Sequence, residues 1–146
     1  MSKGDTFESD ILKLIFNATP IANLADNTAA SPLTNVYVSL HTADPGEAGT
    51  EATNEAAYTN YARVAVPRTT GGWTVSGTAP TQVANAAQVS FPACGTTGAT
   101  VTHFAVGVAA SGTTKILYSG ALSASLAVAN GITPSFAAGA LVITED

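Results

Sequence analysis

The stretch Asn35-Val-Tyr-Val-Ser-Leu-His41 decides the fold, because apolar and polar side chains alternate along it. Alternation with a period of two is typical of a half-buried β-strand. The segment Asp44-Pro45-Gly46 follows, in which proline fixes φ and glycine accepts a positive φ. We therefore predict a strand over residues 36–40 that ends in a turn.

Strand patterns of the same kind recur through the rest of the chain, and glycine or proline separates most of them. The predicted strands cover residues 61–66, 73–76, 82–91, 101–108, 115–118, 125–128, 132–136 and 140–144. Short strands separated by turns every ~8–12 residues are typical of sandwiches, jelly rolls and barrels. The sequence predicts an all-β jelly roll or β-sandwich of about eight short strands.

One segment with helical periodicity precedes these strands. Its apolar side chains share one face of a 3.6-residue helix: Phe7, Ile11, Leu14 and Ile15. Asp5 can cap its start, and Pro20 follows its expected end at Asn17. We predict a helix near residues 6–17, which either packs on its own core or docks on a neighbouring subunit.

Length and composition limit the class of protein. We expect a single domain over residues 1–146, with a helix or arm over 1–20 and a β-sandwich over 33–146. Five basic residues and a net charge of −5 argue against nucleic-acid binding. No apolar run reaches the ~18 residues of a membrane span, and the start of the chain does not resemble a secretory signal. We expect synthesis in a bacterial cytoplasm and no membrane partner.

The charges are unevenly distributed. Between Thr69 and Thr144 the only charged side chain is Lys115. This surface is either polar without charge or covered by neighbours, since the cores of interfaces are depleted in charged residues. We expect a homo-oligomer, either a dimer or a trimer.

No catalytic, metal or cofactor site is expected. His41 and His103 lack a third ligand, and Cys94 lacks a positioned base. The long loop over residues 43–57 is acidic but does not match the ligand pattern of a calcium loop. Trp73 and the tyrosines can form a sugar-stacking platform or fill the core. The sequence therefore predicts a protein that is not an enzyme.

Three stretches resemble a family of small tailed-bacteriophage virion proteins. They are Asn35-Val-Tyr-Val-Ser-Leu-His-Thr-Ala-Asp-Pro-Gly46, Tyr58-Thr-Asn-Tyr-Ala-Arg-Val-Ala-Val66 and Ile132-Thr-Pro-Ser-Phe-Ala-Ala-Gly-Ala-Leu141. The family includes the jelly-roll capsid cement, or decoration, proteins of the Bordetella phage type. The resemblance implies a structural protein on the capsid exterior that binds the major capsid protein and stabilises the joints between capsomers.

Two alternatives remain open, a tail or tail-fibre component and a carbohydrate-binding jelly-roll module. Two segments are expected to contact neighbours, the predicted helix and the acidic loop, whose carboxylates can meet basic residues on a partner. The predicted interface residues are Phe7, Ile11, Leu14, Ile15, Asp44, Glu47, Glu51 and Glu55.

Overall fold

The computed structural model describes residues 5–21, 32–78 and 80–145. In this part of the chain, one helix precedes nine strands. The elements are α1 (Asp5–Asn17), β1 (Asn35–His41), β2 (Val64–Pro67), β3 (Trp73–Ser76), β4 (Thr81–Asn85), β5 (Val89–Ser90), β6 (Ala99–Gly107), β7 (Ile116–Val128), β8 (Ser135–Phe136) and β9 (Val142–Glu145). The predicted all-β class with one N-terminal helix is confirmed.

The strands form three sheets. The largest has the order β2-β1-β6-β7, a second has the order β3-β4-β9, and β5 pairs with β8. The pairings of β1 with β6, β6 with β7, β3 with β4 and β4 with β9 are all antiparallel. None of the described helices is long and apolar enough to cross a membrane.

The chain divides into two compact units. The first unit comprises residues 1–35, 67–89 and 136–146, and the second comprises 36–66 and 90–135. The assignment of the whole chain to a single domain stays a prediction.

In the first unit, α1 packs against the sheet β3-β4-β9. Leu12 and Phe16 are fully buried, and the Phe16 ring meets the Trp73 ring edge-on at a centroid distance of 4.6 Å. Leu12 and Phe16 lie four residues apart on one helix face, which the sequence analysis did not select. The predicted residues Ile11, Leu14 and Ile15 are half-buried, and the side chain of Phe7 lies outside the described residues.

The side chain of Arg68 caps the C-terminal end of α1. Its guanidinium donates hydrogen bonds to the carbonyl oxygens of Ile15, Leu14 and Leu33, the last two at 2.6 Å. Carbonyls in the last turn of a helix have no partner within the helix, and they favour a nearby cation. The last turn of α1 contains no basic residue, so Arg68 supplies this charge from the segment after β2. Burial lowers the pKa of Arg68.

Several predicted strands differ from the structure. The strand predicted over 61–66 begins only at Val64, and the one predicted over 132–136 is reduced to Ser135–Phe136. The pattern over residues 82–91 predicted one strand, but the chain bends after β4. There the side-chain Nδ2 of the buried Asn85 donates to the carbonyls of Ala87 and Ala137, both at 2.8 Å. The two strands predicted over 115–118 and 125–128 are instead one strand, β7.

The four-stranded sheet of the second unit positions the polar residues described below. In its register, Tyr37 pairs with Gly107, Ser39 with Ala105 and His41 with His103. These residues alternate with Val38 and Leu40, so Ser39, His41 and Gly107 share one face of the sheet.

Candidate functional site: a buried ion cluster

The acidic segment between β1 and β2 is held against the end of β1 by backbone hydrogen bonds. The Thr42 amide donates to the Asn54 carbonyl and the Ala56 amide donates to the Leu40 carbonyl, both at 2.8 Å. These contacts return the segment to the sheet and place Glu51, Glu55 and Arg63 in one unit.

Arg63 is the centre of this arrangement. Its Nε and Nη2 atoms donate to the two carboxylate oxygens of Glu55 at 2.7 and 2.8 Å. Its Nη1 atom donates to Glu51 Oε2 at 3.1 Å. Paired hydrogen bonds from a guanidinium to a carboxylate fix both charge and orientation. The hydrogen bonds that Arg63 donates to Glu55 are the main cause of the raised pKa of Arg63.

The same guanidinium also binds the loop between β6 and β7. Nη1 donates to the Ala109 carbonyl and the Thr114 hydroxyl at 3.1 Å, and Nη2 donates to the Gly112 carbonyl at 2.8 Å. One side chain therefore joins two loops that are distant in sequence, with Glu51 in one and Thr114 in the other 63 residues apart. We call Glu51, Glu55, Arg63 and Thr114 the Arg63 cluster.

Glu51 is fully buried within the Arg63 cluster. The Thr114 hydroxyl donates a short hydrogen bond to Glu51 Oε2, and the Glu51 amide donates to the Thr114 carbonyl at 2.9 Å. Glu51 Oε1 has no hydrogen-bond partner among the described residues. A buried carboxylate depends strongly on its remaining partners, which makes the contact with Arg63 essential to this loop conformation.

A second group of polar side chains lies on the same face of the sheet. His41 is fully buried, with Nδ1 at 2.8 Å from the Thr53 carbonyl and Nε2 at 2.9 Å from the Ser39 hydroxyl. The Thr53 carbonyl can only accept, so Nδ1 carries the proton and Nε2 accepts from Ser39. Burial is the main cause of the lowered pKa of His41.

Tyr61 connects β1 to the Arg63 cluster. Its hydroxyl accepts a hydrogen bond from the Leu40 amide and donates one to Glu55 Oε1, both at 3.0 Å. Burial raises the pKa of Tyr61, so the hydroxyl stays protonated and able to donate. Glu55 is thus held by both Arg63 and Tyr61.

The Arg63 cluster is arranged to hold two loops in a fixed conformation. Its charged groups face one another within a buried region. Ion pairs and hydrogen bonds are strong there only when every charged group has a partner. Within the described part of the chain, no three His, Cys, Asp or Glu side chains are grouped to hold a metal ion.

The structure places the predicted loop residues in two different environments. Asp44 and Glu47 are exposed, as expected for a surface that meets a partner. Glu51 is buried and Glu55 is half-buried, and both are paired with Arg63. The carboxylates of Glu51 and Glu55 are paired with the internal cation Arg63, so of the four predicted loop residues only Asp44 and Glu47 are exposed. The membership of all four residues in an interface stays a prediction.

The aromatic residues also have separate environments. Trp73 is fully buried and Tyr58 is almost so, at 2% exposure, so neither offers an open stacking surface. The Tyr58 hydroxyl donates to the Pro92 carbonyl at 3.0 Å. These two side chains belong to the core, as one of the two open interpretations predicted.

Sequence reasoning missed Arg63 and Gly107. Arg63 was read as one position of a strand pattern, and Gly107 as a small residue in another. The sequence does contain a signal for Arg63. This arginine is the one charged residue between Tyr58 and Val66, and it follows shortly after Glu47, Glu51 and Glu55. A cation in such a setting commonly pairs with a nearby carboxylate when it is buried.

The described residues form a β-rich protein in which buried ion pairs fix the conformation of two loops. The model of one protein family matches residues 6–144, and its description is podophage GP4 fiber I protein gp80. The match covers nearly the whole chain, so the chain belongs to this family and is a bacteriophage virion structural protein. No curated protein matches the chain.

Proposed function

We propose that this protein is a structural component of a phage fibre and acts by assembly, without catalytic turnover. The observation that carries the proposal is the family match over residues 6–144, since the family is described by a fibre protein. The Arg63 cluster supports it, because two loops held in one conformation present a constant surface to other subunits.

The capsid cement interpretation is the second candidate. It rests on the resemblance of residues 35–46, 58–66 and 132–141 to small virion proteins. In that role the protein binds the major capsid protein on the capsid exterior and also contacts copies of itself. The family description favours the fibre over the cement role.

Locating the protein in intact particles separates the two candidates. Antibodies against the purified protein are applied to virions, and gold-conjugated secondary antibodies are counted on heads, tails and fibres by electron microscopy. We expect label on fibres. Label distributed over the head surface overturns the fibre proposal and supports the cement candidate.

The exposed end of the acidic loop is our proposed contact with a partner subunit. Asp44 and Glu47 are exposed there, and surface charges of this kind mainly affect association rate and its dependence on salt. The double variant Asp44→Asn/Glu47→Gln should assemble more slowly into particles at low salt, with unchanged melting temperature. The matched comparison for net charge is between the single variants Glu47→Gln and Asp10→Asn, each of which removes one negative charge, on the loop and on α1 respectively. An assembly rate equal to wild type at every salt concentration contradicts the loop contact.

A further inference from the structure

Strand β7 leaves one edge of the largest sheet without a strand partner among the described residues. It is the last strand in the order β2-β1-β6-β7, and it runs for 13 residues from Ile116 to Val128. An edge strand offers unpaired amide and carbonyl groups, which are a template for another strand.

Most of the β7 side chains are also uncovered. Ser119 and Ala121 are exposed, as are all residues from 123 to 127, including Leu126 at 38% exposure. Natural proteins usually protect such edges with lysine, proline or inward-pointing charge. β7 contains no charged residue and no proline.

The register of β7 with β6 is irregular at two places, which limits pairing. It shifts between the pairs Val101–Leu126 and His103–Ala121, where residues 122–125 bulge out of the ladder, and again between the pairs Val106–Tyr118 and Gly107–Ile116. A bulge bends the strand and disrupts the ladder locally. The run that ends at Ala121 keeps a regular register, with Ser119 opposite Ala105 and Gly120 opposite Phe104.

We propose that the β7 edge pairs with β7 of a second copy of this chain in antiparallel orientation, centred on Ser119–Ala121. Edge-to-edge addition of a strand uses main-chain hydrogen bonds and needs no specific pocket. Two antiparallel copies of one strand are related by a two-fold axis, which gives a closed dimer. This dimer proposal depends on the proposed function in one respect, which is that a phage particle must contain many copies of the chain.

The charge distribution favours a second copy as the occupant. The chain has a net charge of −5, but no acidic residue lies between Glu55 and Glu145, and no charge of either sign lies between Lys115 and Glu145. Identical edges from this region meet without repulsion between like charges. The regular run is short, so we expect weak association in solution that is strengthened by multiple contacts in a particle.

Charge-exchanged variants test whether the contact is between two β7 edges. Ala121 is exposed, and its only cross-strand partner within the described sheet is His103 of β6. A charged side chain at this position is therefore tolerated by the monomer, and the variants Ala121→Lys and Ala121→Glu are prepared as separate proteins. In an antiparallel pair centred on Gly120, Ala121 lies opposite Ser119 of the second copy and diagonal to its Ala121, within reach of long side chains. Like charges at the two diagonal positions should weaken self-association of each variant by ~5-fold or less at low salt. Sedimentation equilibrium should detect recovery of the dimer when the two variants are mixed.

The control is Thr100→Lys, an exposed position on β6 in the interior of the same sheet, which should leave the dimer unchanged. Ser119→Lys and Ser119→Glu form a second pair if either Ala121 variant fails to fold by circular dichroism. A wild-type protein that is monomeric at all concentrations, a trimer, or an equimolar mixture that fails to recover association overturns this interface. The antibody experiment on virions is independent of these outcomes, so the fibre proposal can fail or survive separately.

Discussion

Gly107 lies directly against the carboxyl group of Glu51. A Cβ atom built on Gly107 would overlap the carboxyl carbon and both carboxylate oxygens of Glu51. Gly107 is the last residue of β6, and it pairs with Tyr37 on one side and Ile116 on the other. The missing side chain therefore provides the space in which a buried carboxylate reaches Arg63.

The first prediction concerns this space. Gly107→Ala should displace Glu51 and lower the free energy of unfolding by ~1–3 kcal/mol, the usual cost of overpacking. Urea denaturation followed by far-ultraviolet circular dichroism, which reports on the strands of both units, measures the change. Gly71→Ala is the control, since its nearest contact is the Thr69 hydroxyl at 3.7 Å and it should be close to neutral. Equal stability of the two variants would show that the loop adjusts without cost.

The second prediction concerns the cation that joins the two loops. Arg63→Met keeps a long apolar stem but leaves Glu51 and Glu55 without their charged partner. Removing one member of a buried ion pair typically costs ~3–5 kcal/mol, so a large loss of stability is expected. Thermal unfolding monitored by circular dichroism measures it.

The matched control for Arg63 is Lys115→Met. Lys115 is exposed, and exposed substitutions usually change stability by no more than about 0.5 kcal/mol. Arg63→Lys should recover little of the loss, because an ammonium group cannot bind Glu55 through two parallel hydrogen bonds. Full recovery by lysine would mean that charge alone, rather than the planar geometry of the guanidinium, holds the loops.

The third prediction concerns pH. The pKa of His41 is below its ordinary value of 6.5, chiefly because of burial, so the unfolded chain binds a proton at this position more readily than the folded chain does. The contribution of His41 to the free energy of unfolding is fully present above pH 6.5. It decreases as the pH falls below this value, by up to ~1.4 kcal/mol per pH unit. Denaturation curves between pH 5 and 7.5 measure this slope.

Two variants make the pH measurement specific. His41→Gln should flatten the slope in this interval, whereas His103→Gln, a half-buried histidine on β6, should retain it. Stability that rises as the pH falls from 6.5 would contradict the assignment of His41 as a buried neutral side chain.

The fourth prediction concerns the end of α1. Arg68→Gln removes the cation from the carbonyls of Leu14 and Ile15, and hydrogen bonds to charged groups are worth ~1.5–3 kcal/mol. We expect a loss of this size and weaker helical circular dichroism. Lys13→Gln changes an exposed cation on the same helix and should be nearly silent. A variant of Arg68 with unchanged stability would indicate that α1 is held by Leu12 and Phe16 alone.

Local patterns predicted the fold well because they depend on neighbouring residues. The helix predicted over 6–17 corresponds to Asp5–Asn17, and the strand predicted over 73–76 is β3. The division of the 82–91 pattern was not predictable, since the bend depends on hydrogen bonds from Asn85 to residues as distant as Ala137. Alternation alone contains no information about such long-range contacts.

The candidate site was harder to predict for the same reason. The sequence placed Glu51 and Glu55 in an acidic loop, and a loop with several carboxylates is ordinarily solvated. Their burial depends on Arg63, on Thr114 and on the absence of a side chain at Gly107. These groups come from separate parts of the chain, and only the folded structure brings them together.

The interleaving of the two units along the chain has a consequence for protein synthesis. β4 of the first unit pairs with β9, with Thr81 opposite Glu145, and the whole 90–135 segment of the second unit is made between them. Until β9 has been made, the sheet on which α1 packs lacks one of its three strands, so the apolar face of α1, including Leu12 and Phe16, is incompletely covered in the nascent chain. No single cut of the gene separates the units, and the pairing of β4 with β9 can form only after β9 has left the ribosome, when the whole of the second unit has already been made.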